Sequence, residues 1–139
     1  MPIENRWYAE PRIVLNRMYG EVTISDLAKS NEINQAYYQQ IERSVLLHFI
    51  VDMREVTLGF NDVRAARVLS GPRPNTGWIM LVTNDPMHKM IAAMISMIAH
   101  LRYKVVDSME QALDFLRTRD AALWPLIGKP KDDDSVALD

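Results

Sequence analysis

Short apolar runs alternate along the chain with segments whose apolar positions recur every three or four residues, and this alternation predicts the order of elements. Residues 6–10 and 12–19 are rich in aromatic and β-branched side chains and are separated at Glu10-Pro11, so they predict an opening hairpin, with Gly20 punctuating its second strand. Thr23 and Asp26 have the spacing of a capping box, and a helix is expected from about Ile24. Its apolar stripe gathers Ile24, Leu27, Ala28, Tyr38 and Ile41, but Asn31 interrupts the stripe and Ile33 and Tyr37 project elsewhere.

Residues 45–53 are almost unbroken apolar, the pattern of a central strand covered on both faces. A loop over 54–60 is expected next, then a short helix capped by Asn61, carrying Val63, Ala66 and Leu69 inward and stopped by Gly71-Pro72. Residues 78–83 predict a second buried strand, and Asp85-Pro86 opens a third helix reaching about Leu101. Residues 103–107 make a last strand before a second capping box, Ser108 to Gln111, and a helix carrying Met109, Ala112, Leu113 and Leu116. The expected order is β-β-α-β-α-β-α-β-α in one α/β domain over residues 1–127, with residues 128–139 a mobile acidic tail.

That order resembles the SpoIIAA-like mixed-sheet fold of the STAS domains found in anti-sigma factor antagonists. The strand ending Phe49-Ile50-Val51-Asp52, followed by Val56-Thr57, is similar to that family's strand-to-loop run. The phrases from Tyr19 to Thr23 and from Asp107 to Leu113 resemble divergent, uncharacterised STAS/SEC14-like bacterial proteins. The resemblance implies a non-enzymatic interaction module, with a SEC14-like carrier of small apolar or lipid molecules as the alternative. In antagonists a phosphorylated serine follows the central strand. Here Leu58-Gly59-Phe60-Asn61-Asp62 stands in its place, leaving Thr57 as the nearest hydroxyl. The scaffold is therefore implied while the phosphorylation switch is not, and Asp52, Arg54, Thr57 and Asn61 become a candidate interaction loop.

Composition narrows the chemistry further. The chain of 139 residues has no cysteine, so disulfides, thiolate nucleophiles and thiolate-ligated metals are excluded. The net charge of −2 arises in the tail, and a charge-balanced body offers no sign of a nucleic-acid face. No apolar run reaches the ~18–20 residues that span a bilayer, and the opening residues lack a secretory pattern, so a cytoplasmic protein is expected. His88 and His100 lie too far apart on one helix to share a metal, and no cofactor motif is present. His48 reads as a strand histidine with satisfied hydrogen bonds. Asp85 and Asp107 read as helix caps, whereas Asp52 ends an apolar strand without that explanation. An enzyme built on Asp52 and His48 is the weakest expectation. Arg64, Arg67 and Arg73, with Arg54 nearby, form a candidate anion patch, although a solvated helix face paired with Glu55 and Asp62 is the favoured reading of the same residues.

The third helix is the most distinctive segment. Met87, Met90, Met94, Met97 and Leu101 repeat at three and four, and Ile91, Ile95 and Ile98 widen the stripe to roughly 160°, leaving mainly Ala and Ser opposite. Covering one sheet needs only about 100°, so the excess predicts a homodimer seam, a protein partner or the wall of an apolar ligand site, unless the helix is simply deeply buried.

Overall fold

A computed structural model describes residues 2–58, 64–69 and 75–130. The predictions at Asn61, Val63, Gly71-Pro72 and Arg73, and for most of the acidic tail, lie outside the described residues. The strands are β1 (Ile3–Ala9), β2 (Ile13–Val22), β3 (Leu47–Leu58), β4 (Thr76–Val82) and β5 (Tyr103–Val106). The helices are α1 (Ile24–Tyr38), α2 (Arg64–Leu69), α3 (Pro86–Ile98) and α4 (Met109–Arg119), followed by a 3-10 turn (Ala121–Leu123) and the short α5 (Trp124–Ile127). This is the expected order with two short C-terminal elements added. No described helix is long and apolar enough to cross a membrane.

The five strands lie in the order β1-β2-β3-β4-β5, with β1 antiparallel to β2 and all other neighbours parallel. Side chains alternate across the sheet, so β3 sends Phe49, Val51 and Met53 to one face and His48, Ile50 and Asp52 to the other. The first face is covered by α1, α2 and α3 through Leu27, Ala65, Ala66, Ile91 and Ile95. The second is covered by α4 and the C-terminal turns through Ala112, Leu116 and Leu123. Ile50 is fully buried, as a strand covered on both sides requires.

Three local expectations need correction. Residues 54–58 form strand rather than loop, because β2 continues past Gly20 (φ 65°) to Val22 and pairs Tyr19 with Glu55 through Val22 with Leu58. The register slips between Arg17 and Tyr19, placing an extra residue on β3 and so a bulge beside Asp52. Asp52, Arg54 and Thr57 therefore stand on a rigid strand, not on an adaptable loop.

The second correction concerns α3, whose buried residues are Ile91, Ala92, Ile95 and Ser96, while Met87, Met90 and Met97 point outward. The buried face is rotated by about 100°, one residue step, from the methionine-centred stripe. Small residues on the inner face let the helix approach the sheet, and the longer flexible side chains are left outside. Third, Glu55 pairs with Arg17 at 2.8 Å rather than with an arginine of α2.

The caps largely follow the sequence. Thr23 Oγ1 accepts from Asp26 N–H while Thr23 N–H donates to Asp26 Oδ2, a complete capping box. Asp85 accepts from the N–H groups of Met87 and His88, which hold its carboxyl below the usual range. At α4 the box is half formed: Ser108 Oγ accepts from Gln111 N–H, but the Gln111 side chain accepts from Asp107 N–H instead of Ser108. Asp107 is thus no cap; its carboxylate pairs with Lys89.

Candidate functional site

Between the sheet and α1–α3 lies a cavity of about 150 Å³. Its apolar wall comes from the sheet and α3, with Phe49, Val51, Ile79 and Leu81 facing Ile91 and Ile95. Its polar wall comes mainly from α1, which supplies Ser30, Asn31, Asn34, Gln35 and Tyr38, together with Asn16 of β2. None of the described residues lining it is an Asp, Glu, His, Lys or Arg.

The polar wall is organised around Asn5 of the edge strand. Its Nδ2 lies 2.7 Å from Asn16 Oδ1, 2.8 Å from Ser30 Oγ and 3.1 Å from Asn34 Oδ1, and Tyr37 OH donates to Asn5 O at 3.0 Å. Asn16 and Ser30 are buried, and Asn5 Oδ1 is buried without a partner. Buried amides are costly unless bonded, so this cluster orders α1 against β1 and β2. Asn31 Nδ2 donates to Val68 O at 3.1 Å, and the Tyr38 and Thr76 hydroxyls lie 2.7 Å apart, which ties the same helix to α2 and β4. The interruption at Asn31 in the apolar stripe was the visible sign of a helix whose inner face is partly polar.

The residues singled out for chemistry are elsewhere and fully engaged. His48 is completely buried on the α4 face. Its Nδ1 accepts from Trp78 N–H at 2.9 Å, which places the proton on Nε2, and Nε2 donates to Asp120 Oδ2 at 2.9 Å. Burial pushes the imidazole below its ordinary value, partly offset by Asp120. Burial acts to raise the Asp120 carboxyl, but its bonds to His48 and Ala122 N–H outweigh this and hold it below the usual range. This is the satisfied strand histidine that the sequence suggested.

Asp52 accepts from Arg54 Nε and Nη2, both at 2.9 Å, and from Arg54 N–H at 3.2 Å across the bulge. The guanidinium bonds hold Asp52 below the usual carboxylate range and raise Arg54. Neither His48 nor Asp52 lines the cavity. Thr57 is exposed on β3, and Arg64 and Arg67 are exposed on α2.

The five α3 residues proposed as a dimer or ligand surface divide into two groups. Ile91 lines the cavity, and Met94 is half-buried against the same core. Met87, Met90 and Met97 are 63%, 66% and 64% exposed. One helix therefore walls a cavity with one face and presents methionines with the other.

No protein-family model matches the chain, and no curated protein matches it. Among solved structures it is similar to an uncharacterised protein of the DUF3478 family with a SpoIIAA-like fold from Shewanella loihica PV-4, with a TM-score of 0.57 and 13% identity over 82% of this chain and 91% of that one. The fold is SpoIIAA-like. At this identity the likeness concerns the backbone alone. Within this SpoIIAA-like scaffold, three successive helices cover one face of the sheet, and the cavity lies where α1 and α3 stand apart over β2, β3 and β4. Its walls combine residues from five or more elements, so no local motif announced it.

Proposed function

We propose that the protein is a non-enzymatic binding domain that takes up a small apolar or amphipathic molecule between its sheet and α1–α3. The observation that carries this reading is the cavity, whose apolar surface is joined by a few polar side chains on one wall, the usual composition of a small-molecule site. A non-catalytic role is supported by the engagement of His48 and Asp52 in structural bonds away from the cavity. Native mass spectrometry of protein purified gently from cells tests the reading. A retained small molecule, lost on denaturation, is the expected result; repeated purification without any adduct, together with no binding of added apolar probes, would overturn it.

A second reading is a protein-interaction module, and the outward ridge of Met87, Met90 and Met97 beside the partly exposed Ile98 favours it. Exposed apolar ridges of flexible side chains suit adaptable contacts, and a second copy of the chain is the partner proposed. The two readings use opposite faces of α3 and can hold together.

A further inference from the structure

The polar wall of the cavity limits which molecule can fill it, and this argument rests on the binding role proposed above. The cavity, of roughly 150 Å³, is partly open and its interior seats a group about the size of benzene, so a long-chain lipid would leave most of its length outside. The described lining residues include no cation to neutralise an anion and no carboxylate to neutralise an amine. Enclosing a charged group there would carry its desolvation cost without an opposite charge in return.

A purely apolar molecule is also a poor match. Asn5 Nδ2 engages one polar atom of Asn16 and one of Asn34, and these bonds leave the other amide atom of each side chain over. That holds whichever way each amide is turned, because an amide carries a donor at one end and an acceptor at the other. A ligand that covers this wall without hydrogen bonding strands those atoms from water. A hydroxyl both donates and accepts, so it can bond at least one of those atoms in either orientation.

We infer that the cavity selects an uncharged, ring-sized molecule carrying a hydroxyl, with the ring against Phe49, Ile91 and Ile95 and the hydroxyl at Asn16, Ser30 and Asn34. The class is that of small phenols and aromatic or alicyclic alcohols.

Three probes of nearly equal size separate the possibilities when titrated into the full chain at neutral pH and followed by NMR: toluene, benzyl alcohol and benzoate. Benzyl alcohol is expected to bind about fivefold more tightly than toluene, the effect of one net hydrogen bond. Benzoate is expected to bind more than about a hundredfold more weakly than the alcohol. In Asn34→Leu the preference for the alcohol should fall to near unity while toluene binding persists. Ser30→Ala provides the same reading if the first variant does not fold. Equal binding of toluene and benzyl alcohol, benzoate binding as tight as the alcohol, or an unchanged preference in a folded variant would each overturn the inference and leave the cavity as a binding site. Saturable binding of none of the three would overturn both.

Discussion

Gly77 sits against the His48 ring so closely that a single added methyl group tests the buried histidine. A Cβ on Gly77 would lie 2.4 Å from His48 Nδ1 and 2.6 Å from Cε1, where ordinary contacts begin near 3.4 Å. The ring must therefore retreat by about 1 Å, and it is fully buried and held at both nitrogens. Such a shift breaks the bond from Trp78 N–H and strains the one to Asp120. A buried unsatisfied N–H costs about 1–3 kcal/mol, and weakening a bond to a charged acceptor adds about 1–2 kcal/mol. Against this, alanine for glycine in a permitted conformation gains about 0.4–1 kcal/mol through the unfolded chain.

The net expectation for Gly77→Ala is a loss of about 3 kcal/mol, a large part of a typical domain's stability of about 5–15 kcal/mol. In urea unfolding this lowers the midpoint by about 1.5 M at a slope of about 2 kcal/mol per M. The decisive comparison is the same substitution in a His48→Ala background, where the methyl group meets vacated space and the cost should fall below about 1 kcal/mol. A Gly77→Ala protein within about 0.5 kcal/mol of the parent, or an equal cost in both backgrounds, refutes the packing argument.

Further predictions follow from the same geometry. His100 ends α3 with φ 59°, while Leu101 N–H reaches Ser96 O and His100 N–H reaches Met97 O, the bonding of a Schellman cap that normally favours glycine; His100→Gly should stabilise by about 1 kcal/mol in thermal or urea unfolding. His48 and Asp52 both have folded values below their ordinary 6.5 and 3.8, so each contributes stability that is complete above that value and lost as pH falls through its lower folded value. Urea midpoints measured against pH should therefore decline in two stages, the first beginning below about 6.5, and Asp52→Asn should shrink the more acidic stage, to which Asp85 and Asp120 also contribute, while leaving the first unchanged. If α3 forms a seam between two copies, Met90→Asp with Met97→Asp should reduce the mass seen by light scattering without unfolding the chain. An unchanged mass in the folded double variant would sink that reading. Met94, half-buried against the core, is a poor site for the same experiment.

How much of this was legible depended on whether the information was local. Thr23 with Asp26 and Asp85 before Pro86 announce helix starts because a cap needs only a few consecutive residues. The apolar run over residues 45–53 announces a central strand for a similar reason, and β3 begins within it at Leu47. The strand over residues 54–58 is not legible in the sequence because it exists through pairing with β2, and Arg54, Glu55 and Thr57 carry no apolar signal. The orientation of α3 is not legible in the sequence because periodicity marks an apolar face without saying which part of a wide one meets the sheet. Ala92 and Ser96 are inside because they are small, which hydrophobicity alone does not register. The cluster joining Asn5, Asn16, Ser30 and Asn34 spans three elements, and its members are the kinds of residue that usually mark loops and caps.

The central claim, a ligand site on the α1–α3 side of the sheet, is tested most directly by methyl NMR during a titration with toluene. Saturable shifts should appear at Leu27, Leu81, Ile91 and Ile95, which line the cavity, while Ile13, Leu116 and Leu123 on the α4 face stay in place. Absence of saturable shifts at the cavity methyls, or shifts confined to the α4 face, would contradict the account.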